Sequence, residues 1–220
     1  MASNAVIVFL KVPEKGQVKT RLSECLSQTF VLALYKGFVS DILETIETAG
    51  DKFLYFWPPG GKKRLINFLG NRYVFFPQQG QDLGERMANA FVDTFKKGYT
   101  QAILIGTDIP ELGKEVIAQA CEILESEDAV IGPSDDGGYY LIGFRNTTFS
   151  KMIFTQIDWS TKAVLDQTLR AMNQRSIDCK QLLKLSDIDT HEDLTALADR
   201  VKKGGKIGTR TLEILSSYEA

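Results

Sequence analysis

The chain of 220 residues has few of the residue types that build disulfide frameworks or thiolate and histidine metal centres. Its three cysteines, Cys25, Cys121 and Cys179, lie far apart and form no C-x-x-C pair, and there is a single histidine. An odd number of dispersed cysteines argues against a disulfide scaffold and against a zinc site. We therefore expect three packing thiols in a reducing compartment, and the cytoplasm fits best.

The sequence also lacks an excess of charge and a long apolar run. Because 26 basic residues face 28 acidic ones, no overall field attracts nucleic acid or an anionic membrane. The first apolar run ends at Leu10, has no basic segment before it, and is too short for a signal or a membrane span. We expect no nucleic-acid partner and no membrane insertion, and no oligomeric state follows from the sequence.

Short apolar runs alternate with longer segments of helical period, which is typical of parallel strands covered by helices. We predict an α/β fold with a Rossmann-like, mostly parallel sheet, helices on both faces, and a single domain over residues 1–220. The predicted strands are residues 5–10, 53–57, 73–76, 101–105, 129–132 and 139–144. The predicted helices contain residues 31–45, 116–124, 164–172 and 194–201.

The loop after the first strand carries a cluster of positive charge. Lys11, Lys15, Lys19 and Arg21 lie within it, and Gly16 allows the backbone to approach a ligand closely. A diphosphate needs several charge-assisted donors at once, so this loop is a candidate phosphate-binding site. A lysine-rich surface loop without a ligand is the alternative.

A second candidate segment, residues 81–87, opens a helix after the third strand. Asp82 is placed to cap that helix, with Glu85 three residues later completing a capping box. Capping does not account for Arg86. We therefore predict that Arg86 contacts the nucleotide.

Asp108 follows a very hydrophobic strand, and we expect Pro110 to set the start of the next helix. Ligands of open α/β sheets bind beyond the carboxyl ends of the strands, so this carboxylate is a candidate metal ligand. Its hard oxygen atoms suit Mg²⁺ or Mn²⁺, which would also bind the substrate phosphates. A turn aspartate that caps the helix is the alternative.

The segment between the last two predicted strands contains Asp135, Asp136, Gly137 and Gly138. This composition predicts a tight hairpin turn. Two adjacent carboxylates also suit acceptor binding or general-base catalysis, and the two glycines would let the backbone approach a sugar or a phosphate.

A further pair of carboxylates, Asp187 and Asp189, alternates along the chain before a late helix. In an extended segment they share one face, and a divalent cation is the usual way to relieve their repulsion. Asp189 is our second candidate metal ligand. A role confined to the start of the helix is the alternative.

Taken in order, these segments resemble a known family. Residues 11–22 with KTRL at their end, DLGERM at 82–87, GTDIPEL at 106–112, GPSDDGGYYLIG at 132–143 and DWS at 158–160 occur in one chain. Together they are similar to small bacterial glycosyltransferase-like proteins of uncharacterised function. That family lies within the nucleotide-diphospho-sugar transferase superfamily of GT-A fold and is related to phospholactate guanylyltransferase.

The resemblance implies a metal-dependent transferase with Mg²⁺ or Mn²⁺ on Asp108 and Asp189. His191 stands where the related late motif has proline. Lys19 and Arg21 would neutralise the leaving group, and Asp135 or Asp136 would activate a small-molecule acceptor. Glycosyl transfer from a nucleotide sugar is the expected reaction. The alternatives are nucleotidyl transfer from a nucleoside triphosphate with release of pyrophosphate, and a non-catalytic nucleotide sensor.

Overall fold

The sheet determines where the functional residues lie. The structure is a computed structural model that describes residues 3–218, and in this range seven strands form one sheet in the order β3-β2-β1-β4-β6-β5-β7. The strands are β1 Asn4–Lys11, β2 Asp51–Trp57, β3 Val74–Pro77, β4 Gln101–Ile105, β5 Ala129–Pro133, β6 Tyr139–Arg145 and β7 Cys179–Gln181. Neighbours pair in parallel except along β6, which is antiparallel to both β4 and β5. The predicted mostly parallel sheet is confirmed.

Helices cover both faces of this sheet, as predicted. They are α1 Gln28–Thr45, α2 Lys62–Leu69, α3 Leu83–Phe95, α4 Lys114–Ser126, α5 Val164–Asn173, α6 His191–Lys202 and α7 Thr209–Tyr218. Strand β1 shows why its sequence is continuously hydrophobic. Val6 and Val8 pack with α1 and α4 on one face, whereas Ala5 and Ile7 pack with α3 on the other.

A third apolar cluster lies beside the sheet and joins the end of the chain to α1. Leu34 and Phe38 of α1 pack with Leu194 and Leu197 of α6 and with Leu215 of α7. These contacts give the C-terminal helices a defined position. In the part of the chain from 3 to 218, none of the helices combines the length and the apolar run that crossing a bilayer requires.

The starts of the helices test two local predictions. The predicted cap of α3 is confirmed, since the Asp82 side chain accepts a hydrogen bond from the backbone N–H of Glu85. At the start of α6, Thr190 forms a reciprocal capping box with Asp193. The expectation that Pro110 opens a helix was wrong. Pro110 lies in a turn and α4 begins at Lys114, because Leu112 is still folded back onto Ile109 through a backbone hydrogen bond.

The last helix is held by a buried carboxylate of α1. Asp41 is 5% exposed, and its two oxygens accept hydrogen bonds from the backbone N–H groups of Arg210 and Thr211 at 3.2 and 2.9 Å. Gly208 makes room for this carboxylate, since a Cβ there would lie 2.0 Å from the Asp41 Cγ. Asp41 thus satisfies N–H groups that the first turn of α7 leaves unpaired.

We predict that Asp41→Ala lowers the free energy of unfolding by about 1–2 kcal/mol, because α7 loses its N-terminal cap. Urea denaturation would measure the change as a shift of the midpoint at constant m-value. Glu44→Ala is the matched control, since Glu44 is an exposed carboxylate of the same helix. Equal midpoints for the two variants would contradict the capping role.

Candidate functional site

A cleft of about 560 Å³ lies at the carboxyl ends of the parallel strands. Lys11 and Trp57, the last residues of β1 and β2, line it together with Asp108 from the loop after β4. The chain runs from β1 to β2 and β3 on one side and then places β4 on the other side of β1. The cleft therefore lies at the switch in strand order, where ligands of open α/β sheets bind.

Most of the residues predicted for the site line this cleft. They are Lys11, Lys19, Arg21, Arg86, Asp108, Asp136, Gly138 and Asp189. Gly16, Asp135 and Gly137 are not among the lining residues. The strand-end loops thus meet as expected, although three of the predicted residues face elsewhere.

Lys19 has an unexpected position at the centre of the site. Its side chain is 4% exposed, and its Nζ lies 3.0 Å from Asp108 Oδ2 and 2.6 Å from Asp189 Oδ1. The two carboxylates that were predicted to share a metal ion therefore share an ammonium group. Their side chains remain 46% and 40% exposed, so each still faces the cleft.

The backbone of Lys19 is strained. Its φ is +48°, in the left-handed region that glycine adopts easily and that costs other residues about 1 kcal/mol or more. A lysine is kept in such a conformation when its side chain makes interactions that outweigh this cost. Here the compensating interaction is the pair of ion contacts with Asp108 and Asp189.

The charges in the cleft shift the pKa values of its carboxyl groups. Burial raises the pKa of Asp187 to about 6, and the charges of Asp136 and Asp189 add to this effect. Burial would also raise the pKa of Asp189, but the charge and hydrogen bond of Lys19 outweigh it and hold that pKa below its usual value. For Lys19, burial lowers the pKa, and the two carboxylates raise it above the ordinary value.

The two aspartates of the β5–β6 turn point in different directions. Asp136 Oδ1 accepts hydrogen bonds from the Ser134 hydroxyl and the Gly138 N–H, which leaves Oδ2 for a ligand in the cleft. Asp135 instead pairs with Lys184 at 3.0 Å and accepts from Ser186, and these hydrogen bonds lower its pKa. Only Asp136 is placed to meet a substrate in the cleft.

Of the three glycines predicted for the site, one lines the cleft and two do not. Gly137 has a φ of +88°, and a Cβ there would lie 2.4 Å from the Lys162 carbonyl oxygen, so its role is to admit another loop of the protein. Gly16 has a φ of +76° and forms a turn against the Gln28 amide. Gly138 alone lies on the cleft surface.

An aromatic wall closes one side of the cleft. The guanidinium carbon of Arg86 lies 3.8 Å from the centroid of the Trp57 ring, and the Arg86 Nε donates to the Gly80 carbonyl. Trp159 packs over Gly84, which has no room for a side chain. Both tryptophans line the cleft.

The sequence analysis did not predict the positions of Trp57, Tyr35 and Gln78, whose side chains also line the cleft. Trp57 is the last residue of a predicted strand, so the strand-end rule could have found it. The Tyr35 hydroxyl donates to the Lys11 carbonyl and accepts from its N–H, and the buried Gln78 Nε2 donates to the Tyr55 carbonyl. Those contacts cross from helix or loop to strand, and no local pattern indicates them.

The donor set suits a divalent cation. Two carboxylates already converge on one positive charge, and both keep surface facing the cleft. Within residues 3–218, no group of three or more acidic, histidine or cysteine side chains is close enough to hold a metal ion. Magnesium is commonly bound by one or two carboxylates with substrate phosphates completing the shell, and the site fits that arrangement.

Comparison with known proteins identifies the class. A crystal structure of a protein from Desulfovibrio desulfuricans G20, described as a nucleotide-diphospho-sugar transferase, is 34% identical, with a TM-score of 0.94 over 100% of this chain and 96% of that one. The chain is therefore a transferase, of the glycosyl or nucleotidyl kind, with the fold of nucleotide-utilising enzymes. It belongs to the bacterial family described as "uncharacterized protein conserved in bacteria (DUF2064)", which matches residues 44–161.

More distant structures share only the fold. A synthetase of CMP-linked 2-keto-3-deoxy-manno-octonic acid, complexed with CTP, is 9% identical with a TM-score of 0.54 over 92% of this chain and 100% of that one. A manganese complex of Rv0371c from Mycobacterium tuberculosis H37Rv is 14% identical with the same TM-score, over 90% and 99%. No curated protein matches the chain by sequence.

We predict that Gly137→Ala lowers the free energy of unfolding by about 1–3 kcal/mol, because it adds strain at a positive φ and a clash with the Lys162 backbone. Gly138→Ala is the matched control. Its Cβ would meet nothing closer than 3.1 Å, and its φ is not positive. Chemical denaturation of both variants measures the difference, and a larger loss for Gly138→Ala would refute this account of the turn.

Proposed function

We propose that the protein transfers a glycosyl group from a nucleotide-diphospho-sugar to a small-molecule acceptor, with Mg²⁺ or Mn²⁺ bound by Asp108 and Asp189. One observation carries the proposal: carboxylates from two distant parts of the chain converge on a single cation at the strand switch. The 34% identity to a protein described as a nucleotide-diphospho-sugar transferase supports the donor class.

The diphosphate of the donor would lie between the basic first loop and the acidic pair. Lys11 and Arg21 are exposed and line the cleft, so their charged groups are available to phosphate oxygens. A bound divalent cation supplies a Lewis acid beside the leaving diphosphate. The positive charges of the loop stabilise the same developing negative charge, which is where electrostatic catalysis is most effective.

The nucleoside would lie along the aromatic wall. Trp57 and Trp159 offer apolar ring surface for a base or a sugar, and Arg86 is held in place by its contact with Trp57. We therefore keep the assignment of Arg86 to the nucleotide as part of the proposal.

Asp136 is the group that would orient or deprotonate the acceptor. Its Oδ1 is fixed by the Ser134 hydroxyl and the Gly138 N–H, so Oδ2 has a defined direction. A general base must lie within hydrogen-bond reach of the proton that it removes. Because Asp135 is paired with Lys184 outside the cleft, we assign this role to Asp136 alone.

Nucleotidyl transfer is the second candidate, because cytidylyltransferases share the fold. The position of Lys19 disfavours it. Its ammonium is occupied by two carboxylates, so two cationic side chains of the first loop, Lys11 and Arg21, line the cleft and remain for phosphate. A diphosphate needs fewer such donors than a triphosphate does.

The reaction is testable by product analysis. We expect incubation with Mn²⁺ and a panel of nucleotide sugars to release nucleoside diphosphate, slowly by hydrolysis and faster with an acceptor. Asp108→Asn and Asp189→Asn should each reduce the rate by about a hundredfold or more. Each substitution removes a carboxylate ligand of the cation, and the weaker cation binding leaves the charge of the leaving group less well stabilised. Chromatography of the nucleotides measures the products.

Asp166→Asn is the matched control, since Asp166 is an exposed carboxylate on α5 away from the cleft lining. Release of pyrophosphate from a nucleoside triphosphate would contradict the proposed glycosyl transfer and show that the protein transfers a nucleotidyl group. Stabilisation by nucleotide that persists in Asp108→Asn, with no product from any donor, would favour a non-catalytic sensor.

We further predict that Asp136→Asn lowers kcat by about 10²-fold or more with little change in the KM for the nucleotide sugar. Asparagine keeps an oxygen for the two turn hydrogen bonds and replaces the free oxygen with an amide. Steady-state kinetics with a saturating acceptor measure both constants. A raised KM at constant kcat would show that Asp136 binds the donor and does not act on the acceptor.

A further inference from the structure

We propose that Lys19 is the resident cation of the Asp108 and Asp189 pair and keeps free divalent metal out of the cleft until a nucleotide diphosphate brings the metal with it. The inference rests on the proposed function, because it assigns an order of binding to the same site. Lys19 then has a role different from the phosphate contact that its sequence position indicates.

The charge of Lys19 lies where a metal ion would bind. The ammonium is 3.0 Å from an oxygen of Asp108 and 2.6 Å from an oxygen of Asp189, so a metal ion bonded to both carboxylates would lie close beside it. With 4% of its side chain exposed, Lys19 is poorly screened by water. A divalent cation entering alone therefore meets strong repulsion at short range.

The described part of the chain supplies few ligands for a metal ion in the cleft. Among residues 3–218 no three acidic, histidine or cysteine side chains are grouped closely enough to hold a metal ion, so Asp108 and Asp189 would be its two protein ligands. One ammonium already offsets one of those two charges. A diphosphate supplies the missing oxygens and the negative charge that compensates Lys19, so metal and nucleotide bind more strongly together than separately.

The backbone conformation at position 19 favours glycine over lysine. At a φ of +48° a glycine would fit without strain, yet the chain has a lysine whose side chain is directed to the acidic pair. Asp189 and Asp108 come from segments far from the first loop, so the contact is not a consequence of local geometry. Position 19 therefore contributes a positive charge to the acidic pair, at the cost of a strained backbone.

The test measures metal binding without any turnover. Mn²⁺ is titrated into the protein in the absence of nucleotide, and the free ion is followed by electron paramagnetic resonance. We expect wild type to bind weakly and both Lys19→Met and Lys19→Gly to bind at least about tenfold more tightly, because the competing charge is gone. The glycine variant suits the local backbone, which protects the test against misfolding.

Two controls define the site. Lys15→Met removes an exposed charge from the same loop outside the cleft lining and should leave Mn²⁺ affinity at the wild-type value. Adding Asp108→Asn to Lys19→Gly should abolish the gain. Equal or weaker Mn²⁺ binding by both neutral variants, relative to wild type, would overturn the inference.

A second arm adds UDP, GDP, CDP or ADP to the wild type. We expect at least one of them to raise its Mn²⁺ affinity by about tenfold or more. Tight binding by the neutral variants, together with no effect of any diphosphate on wild type, would uphold the exclusion of free metal by Lys19 and count against the proposed function. A failure of the inference on Lys19 can thus be distinguished from a failure of the proposed function.

Discussion

A buried ammonium between two carboxylates organises this cleft. Lys19 comes from the loop after β1, Asp108 from the loop after β4, and Asp189 from the segment before α6. An isolated buried charge is very unfavourable, so each of these segments requires the other two to be in place. The strain at Lys19, the lowered pKa of Asp189 and the closeness of the acidic side chains all follow from this contact.

Much of the fold could be predicted from the sequence because the strands are buried on both faces. Strand β4 was predicted with its observed bounds, and the continuous apolar sequence of β1 indicated a central parallel strand. Short helices and strands at the edge of the fold have weaker hydrophobic patterns in the sequence. Strand β7 has three residues, two of them exposed, and α2 is short, so neither produces a sustained apolar period.

Part of the candidate site could also be predicted from the sequence, for a different reason. The rule that ligands bind beyond strand ends selected Lys11, Asp108 and Arg86, and the structure places all three on one cleft. The rule does not tell which charges pair with each other. That Lys19 contacts Asp189, 170 positions away in sequence, depends on the packing of α1 against α6 and is invisible in either segment alone.

The reversed direction of β6 has a consequence for how such a protein can diversify. Because β5 and β6 are joined by a tight turn, the carboxylate of Asp136 reaches the cleft from a hairpin tip, whereas Lys11 and Asp108 follow parallel strands. Hairpin tips tolerate insertions that leave strand register unchanged. Lengthening this one tip would therefore reshape one side of the cavity while the side formed by the parallel strand ends stays intact.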